Sequence, residues 1–220
     1  AFVGRVLSDG MPKYMNTPET PLFKKGQTLF ALDAAREAAG QQQTLIIVEG
    51  YFDAVALHQA GIRHVAATLG TALTPDHITV IRRFASNIVL LFDPDQAGVR
   101  AALRSLDLFV NSGLSVKVVS LPEGDDPDTY VRQHGAEGFA ALHRTAPSLL
   151  DFAIEHSLRT AESGSVEDRI RAVDAVLRIL QKSAHPIERE ERIRLVAERL
   201  GLSQQRLIDR YPTLVSEDQR

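Results

Sequence analysis

The sequence predicts an α/β fold built on a mainly parallel sheet, and three observations carry that expectation. Short, continuous apolar runs rich in β-branched residues recur between positions 45 and 119, helical stretches separate them, and beyond about position 145 apolar residues recur at three- and four-residue steps instead. Continuous runs mark strands covered on both faces, and strands alternating with helices build parallel sheets.

The runs are Leu45-Ile46-Ile47-Val48, Val65-Ala66-Ala67, Ile88-Val89-Leu90-Leu91-Phe92 and Val116-Lys117-Val118-Val119. Helices are expected near 53–60, 75–85 and 97–112. Thr74-Pro75 gives the second a capping hydroxyl followed by proline in its first turn, and Gly113 ends the third. The order predicts right-handed crossovers between parallel strands.

Residues 1–26 are rich in Gly, Pro, Thr and Asn and read as a short strand followed by ordered loops. Phe2-Val3-Gly4-Arg5-Val6-Leu7 has the character of an interior strand and turn, which points to a piece of something longer. At the other end, Val166, Ile170, Val173, Val176, Leu177 and Leu180 form one helical stripe, opened by a capping box of Ser165 with Asp168. Ile193, Val196, Ala197 and Leu200 form a second stripe ended by Gly201, and Ser203 caps a third helix. The expected division is 1–43 for a basic loop segment and helix, 44–144 for the sheet domain, and 145–220 for a small helical subdomain.

Composition narrows the class. A hydrophobic share of 44% with 24% charged residues of mixed sign supports a packed core and argues against wholesale disorder. There is no cysteine, so disulfides and thiolate zinc sites are excluded within this chain. No apolar run approaches the roughly 18 residues a membrane helix needs, and the N-terminus lacks the regions of a signal peptide, so a cytoplasmic protein without membrane contact is expected. The net charge of −3 conceals an asymmetry: Arg5, Lys13, Lys24 and Lys25 outweigh Asp9 and Glu19 over the first thirty residues, leaving the remainder acidic. A basic lip beside an acidic metal site would give that distribution.

The acids that matter follow the strands. Glu49 comes directly after the first run, Asp93 and Asp95 after the third in Asp93-Pro94-Asp95, and Asp126 and Asp128 shortly after the fourth in Asp126-Pro127-Asp128. Parallel strands would bring all of these loops to one edge, where open α/β sheets place their sites. Like charges about 4 Å apart cost on the order of 1–4 kcal/mol per pair, so such a crowd calls for hard divalent cations. In an extended Asp-x-Asp segment both carboxylates face one way. Paired metals there would suit phosphodiester or nucleotidyl chemistry. Taken singly, Asp-Pro-Asp is a turn or helix cap, and Asp53 caps a helix or supports the site from behind.

These residues resemble the topoisomerase–primase (toprim) domain, in which an acidic residue and glycine follow the first strand and Asp-x-Asp follows the third. Val48-Glu49-Gly50-Tyr51-Phe52-Asp53, Thr68-Leu69-Gly70-Thr71 and Asp93-Pro94-Asp95-Gln96-Ala97-Gly98 match in order. The likeness extends to bacterial replicative DNA primases of the DnaG type. Pro12-Lys13-Tyr14-Met15-Asn16-Thr17-Pro18-Glu19-Thr20 and Phe23-Lys24-Lys25-Gly26 look like the segment preceding toprim there, and Gly124-Asp125-Asp126-Pro127-Asp128-Thr129 looks like a later acidic motif. Pro94 and Gln96 depart from the family's more usual glycine and basic residue.

The resemblance implies a toprim-like sheet, the end of an N-terminal polymerase subdomain over 1–43, and the family's helical subdomain after 145. It implies the catalytic core of a DNA primase, a template-directed RNA polymerase that makes short RNA primers on single-stranded DNA from nucleoside triphosphates. Glu49, Asp93 and Asp95 would bind more than one Mg²⁺ or Mn²⁺, with Asp53, Asp126 and Asp128 in support. Lys13, Tyr14, Asn16 and Lys25 would line the nucleotide and template side. Zinc has no place in this fragment. The helicase-binding module and the arginine-rich first part of the polymerase domain are expected outside it, so the fragment alone is expected to have little activity. Competing readings are another toprim protein, such as a topoisomerase or nuclease, and a non-catalytic docking module.

Overall fold

The structure, a computed structural model, describes residues 2–6, 14–92, 96–110, 112–162, 165–183 and 185–218. Its N-terminal part pairs as an antiparallel ribbon, β1 (Val3–Arg5) with β2 (Tyr14–Asn16). The second of these strands departs from the expected loop, three residues being too few to show a period in the sequence. Thr17 closes the ribbon: its N–H donates to the Phe2 carbonyl at 3.0 Å, and its hydroxyl accepts from the Phe2 N–H at 2.6 Å. A short 3-10 turn, Lys25–Gln27, leads into helix α1 (Leu32–Gln42).

The four apolar runs then become four parallel strands. In chain order these are β3 (Thr44–Val48), α2 (Tyr51–Gln59), β4 (Val65–Ala67), α3 (Pro75–Ile81), β5 (Asn87–Phe92), α4 (Gln96–Phe109) and β6 (Ser115–Ser120). The strand order is β4-β3-β5-β6. Successive strand residues point to opposite faces, and both faces are covered. Leu45, Ile47, Ile88, Leu90, Val116 and Val118 pack with Ala35 and Ala39 of α1, Ile78 of α3 and Leu106 of α4. Ile46, Val48, Val89, Leu91 and Val119 pack on the other face with Ala54 and Leu57 of α2. That two-sided burial is why the runs are continuous rather than alternating.

Thr74 caps α3 as expected, its hydroxyl accepting from the His77 N–H at 3.2 Å. The next helix, α5 (Pro127–Thr145), begins where the sequence alone suggests an acidic loop. Its own signals were present: Asp126 accepts from the Thr129 N–H at 2.8 Å, and Pro127 opens the first turn. Tyr130, Val131 and Phe139 of α5 complete the α2 side of the core.

The C-terminal part holds α6 (Leu149–Glu162), α7 (Val166–Gln181), α8 (Pro186–Leu200) and α9 (Gln204–Asp218). Leu158, Val176, Leu177, Leu180, Ile193, Val196 and Leu207 form its core. Ser165 caps α7 and Gly201 ends α8 in the left-handed region (φ 63°), both as expected. Val166 and Ile170, placed in the apolar stripe by spacing, are instead exposed at 68% and 55%, because the core-facing part of α7 begins at Ala172. No helix among the described residues is long and apolar enough to cross a membrane.

Candidate active site at the switch point of the sheet

β3 lies between β4 and β5. The chain leaves β3 into α2 on one face and leaves β5 into α4 on the opposite face. Adjacent strands whose connections depart in opposite directions open a crevice at their carboxyl ends, the place where open α/β sheets bind ligands. Val48 pairs with Leu91, and Phe92 with Ser120, so Glu49 emerges beside Phe92, with the end of β5 between it and the loop that follows β6.

Glu49 is exposed at this edge and lines a cavity of about 290 Å³ together with Thr68 and Phe92. Asp93 and Asp95, which continue the chain from Phe92, lie outside the described residues, as does Lys13. Asp53 sits in the first turn of α2, where a carboxylate faces the positive end of the helix. Its carboxyl group folds back over Gly50: a Cβ at position 50 would lie 3.2 Å from the Asp53 Cγ and closer still to one of its oxygens. Gly50 is extended (φ −100°), so what glycine allows there is the close approach of the Asp53 carboxyl group and not an unusual backbone angle.

The two later acids already have intramolecular partners. Asp126 is the cap of α5, and Asp128 accepts from the Arg132 guanidinium at 2.7 Å one turn on. Both follow β6 at the same sheet edge as Glu49, and their placement serves the helix start whatever else they do.

On the basic side, Asn16 is engaged through both ends of its amide. Its Nδ2 donates to the Leu69 carbonyl at 2.9 Å, and its Oδ1 accepts a hydrogen bond from the Tyr51 hydroxyl. Tyr51 packs edge-on against Phe30, with ring centroids 5.1 Å apart, and burial raises its pKa despite the Asn16 contact. Tyr14 is described as backbone only, paired with Arg5. The Lys25 backbone is pinned twice: its N–H donates to Glu19 at 2.9 Å, and its carbonyl accepts from His77 Nε2 at 2.9 Å. His77 is fully buried, and its Nδ1 accepts from the Thr74 N–H at 3.2 Å. The network therefore assigns the neutral tautomer protonated on Nε2, and burial lowers its pKa.

Spacing alone does not report the contacts of Tyr51 or His77; the one local signal is that His77 stands three residues after Thr74, where a side chain can reach back to the cap. Among the described residues no group of three or more histidines or carboxylates is set to hold a metal ion, and Asp93 and Asp95 are not among those residues.

A parallel sheet of this order, with Glu-Gly after one central strand and Asp-x-Asp after its neighbour, defines a toprim-type α/β protein. Comparison with known proteins extends that in both directions. Residues 46–131 match the Toprim-like family model, residues 1–36 that of the DNA primase catalytic core N-terminal domain, and residues 150–205 that of the DnaB-helicase binding domain of primase. The DNA primase of Clostridium acetobutylicum is 39% identical over 213 residues, covering 96% of this chain and 35% of that protein. A solved DNA primase domain from Pseudomonas aeruginosa superposes with a TM-score of 0.79 at 36% identity, covering 95% of this chain and 66% of that one. A solved DnaG catalytic core gives 0.76 at 33% identity, covering 93% and 67%. The chain belongs to the DnaG-type DNA primase family, and spans about a third of the length of the curated relatives it matches. One expectation is corrected: the helicase-binding module was expected outside this chain, yet the model bearing that description matches the helical region itself, where short apolar stripes carry no family signature that spacing alone could reveal.

Proposed function

We propose that this chain is the toprim-containing part of the RNA polymerase domain of a DNA primase, which makes short RNA primers on single-stranded DNA by nucleotidyl transfer. The observation that carries the reading is the placement of Glu49 and the end of β5 side by side at the switch point, in a chain of this family. The alternatives of a topoisomerase or nuclease are not favoured, since the relatives compared are DNA primases.

The donors at this edge are carboxylate oxygens, Glu49 exposed and Asp53 folded over Gly50, and such a set fits a hard divalent cation, Mg²⁺ or Mn²⁺. Glu49, Asp93 and Asp95 would hold the ions, with Asp53, Asp126 and Asp128 in support. When bound, the ions neutralise phosphate charge and make the attacking hydroxyl a better nucleophile. The chain's own part is to fix that carboxylate set on rigid strands, so that the primer 3′-hydroxyl attacks the α-phosphate of a nucleoside triphosphate in line and pyrophosphate leaves. Lys13, Tyr14 and Lys25 would meet the nucleotide and template through phosphate attraction and stacking. Asn16 would keep their segment against the sheet edge. The helical region, through its family match, is the natural seat for contact with the replicative helicase, and the protein would work in the cytoplasm. The divisions 1–43, 44–144 and 145–220 are kept as the working domain boundaries.

The test is template-dependent ribonucleotide incorporation by the full-length protein. Glu49→Gln and Asp93→Ala are expected to reduce it by about 100-fold or more while circular dichroism is unchanged. Wild-type rates in either variant would refute the assignment.

A further inference from the structure

The cavity that begins at Glu49 continues down the flank of α4, between that helix and the segment after β4. Its polar wall carries Thr68, Thr71, Arg104 and Ser105, and Leu73 and Leu108 close its inner end. Two of these groups have no polar partner among the described residues. The Thr71 hydroxyl oxygen is buried without a hydrogen-bond partner among the described residues, an unfavourable condition for a buried polar group. Arg104 is exposed and has no ion-pair partner among the described residues, whereas Arg192, Arg199 and Arg210 each hold a carboxylate.

The placement indicates what would use them. Arg104 lies eight residues into α4, roughly 12 Å along the axis from its start. Long helical side chains lean toward the helix N-terminus, which for α4 is the sheet edge bearing Glu49. Arg104 therefore lines the same cavity as Glu49 from the α4 side, with the unsatisfied Thr71 hydroxyl also in that lining. Apart from Glu49 at the mouth, the lining contains no acid. A cavity that is acidic at its mouth and cationic further in suits an elongated anion whose near end meets metal-bound carboxylates.

We infer that this cavity takes the polyphosphate tail of the incoming nucleoside triphosphate, with Arg104 pairing a terminal phosphate and Thr71 donating to a phosphate oxygen. The inference rests on the nucleotidyl-transfer reading and adds to it a tail-binding pocket on the α4 side.

The test uses inorganic tripolyphosphate titrated calorimetrically into the full-length protein at fixed salt, with and without Mg²⁺, alongside the KM for nucleoside triphosphate in primer synthesis. Arg104→Gln is expected to weaken tripolyphosphate binding and raise KM about tenfold or more, Thr71→Val about threefold, and Arg104→Lys to fall between wild type and Arg104→Gln. Arg206→Gln, on distant α9, is expected to change neither. Binding unaffected by Arg104→Gln and Thr71→Val, an equal loss in Arg206→Gln, or displacement of tripolyphosphate by adenosine would overturn the pocket. Arg104-dependent binding in a wild-type protein that makes no primer would uphold the pocket and instead remove the primase reading.

Discussion

The Asn16 side chain is held between Tyr51 and the Leu69 carbonyl, tying the N-terminal ribbon to the residue two positions beyond Glu49 and to the loop that follows β4. A side-chain amide that satisfies one donor and one acceptor on separate segments fixes their mutual position more firmly than either bond alone. Tyr51→Phe is expected to cost about 1 kcal/mol and Asn16→Ala about 1–3 kcal/mol, because the latter strands both partners. Urea denaturation measures both. A cost in Asn16→Ala no larger than in Tyr51→Phe would contradict the double engagement.

Gly50 is constrained by the carboxyl group folded over it. Gly50→Ala turns the Asp53 carboxyl group, the far end of a flexible side chain, out of its place and is expected to destabilise by about 0.5–1.5 kcal/mol. In the Asp53→Ala background the same change should be nearly neutral, since the obstructing group is gone. A double-mutant cycle reads the difference, and additive costs would show that Asp53 is not what requires glycine.

Two histidines make stability pH-dependent. Burial lowers the pKa of His77, and burial first, then His143 and His58, lowers that of His64 to about 4. Both are expected to titrate near 6.5 when unfolded. Above that value neither state binds the proton and the full stability is present; as pH falls from about 6.5 toward 4 the unfolded chain takes up protons that the fold refuses, and stability is lost. The loss from His64 is on the order of 1–3 kcal/mol. Denaturation midpoints at pH 7.5, 6 and 5 test this, and His64→Ala should flatten the curve.

How much of this was legible in the sequence depends on whether a signal was local. The strands and the edge position of Glu49 followed from four uninterrupted apolar runs, since burial on two faces leaves its mark on every residue of a run. Helix α5 was written in Asp126-Pro127-Asp128-Thr129, but the same letters read as a ligand loop, and only the hydrogen bond from Thr129 decides that Asp126 is a cap. The Asn16 and His77 contacts join residues 35 to 53 positions apart, which no spacing rule reports. Val166 and Ile170 kept the helical period yet face solvent, because periodicity locates a face and not the residue at which the neighbouring helices begin to cover it.

The helical region should fail independently of the carboxylates. Leu177 is fully buried among Leu158, Val176, Leu180 and Ile193, so Leu177→Ala is expected to cost about 2–5 kcal/mol. Thermal unfolding gives that figure, and a cost below 1 kcal/mol would show that these helices do not share a core.

The central claim is that acids leaving β3 and β5 share divalent metal at the switch point of the sheet. Anomalous diffraction from crystals soaked in Mn²⁺ tests it most directly. The expected result is one or more strong peaks within coordination distance of Glu49 and of Asp93 or Asp95. Mn²⁺ bound elsewhere with none at Glu49 would contradict the account.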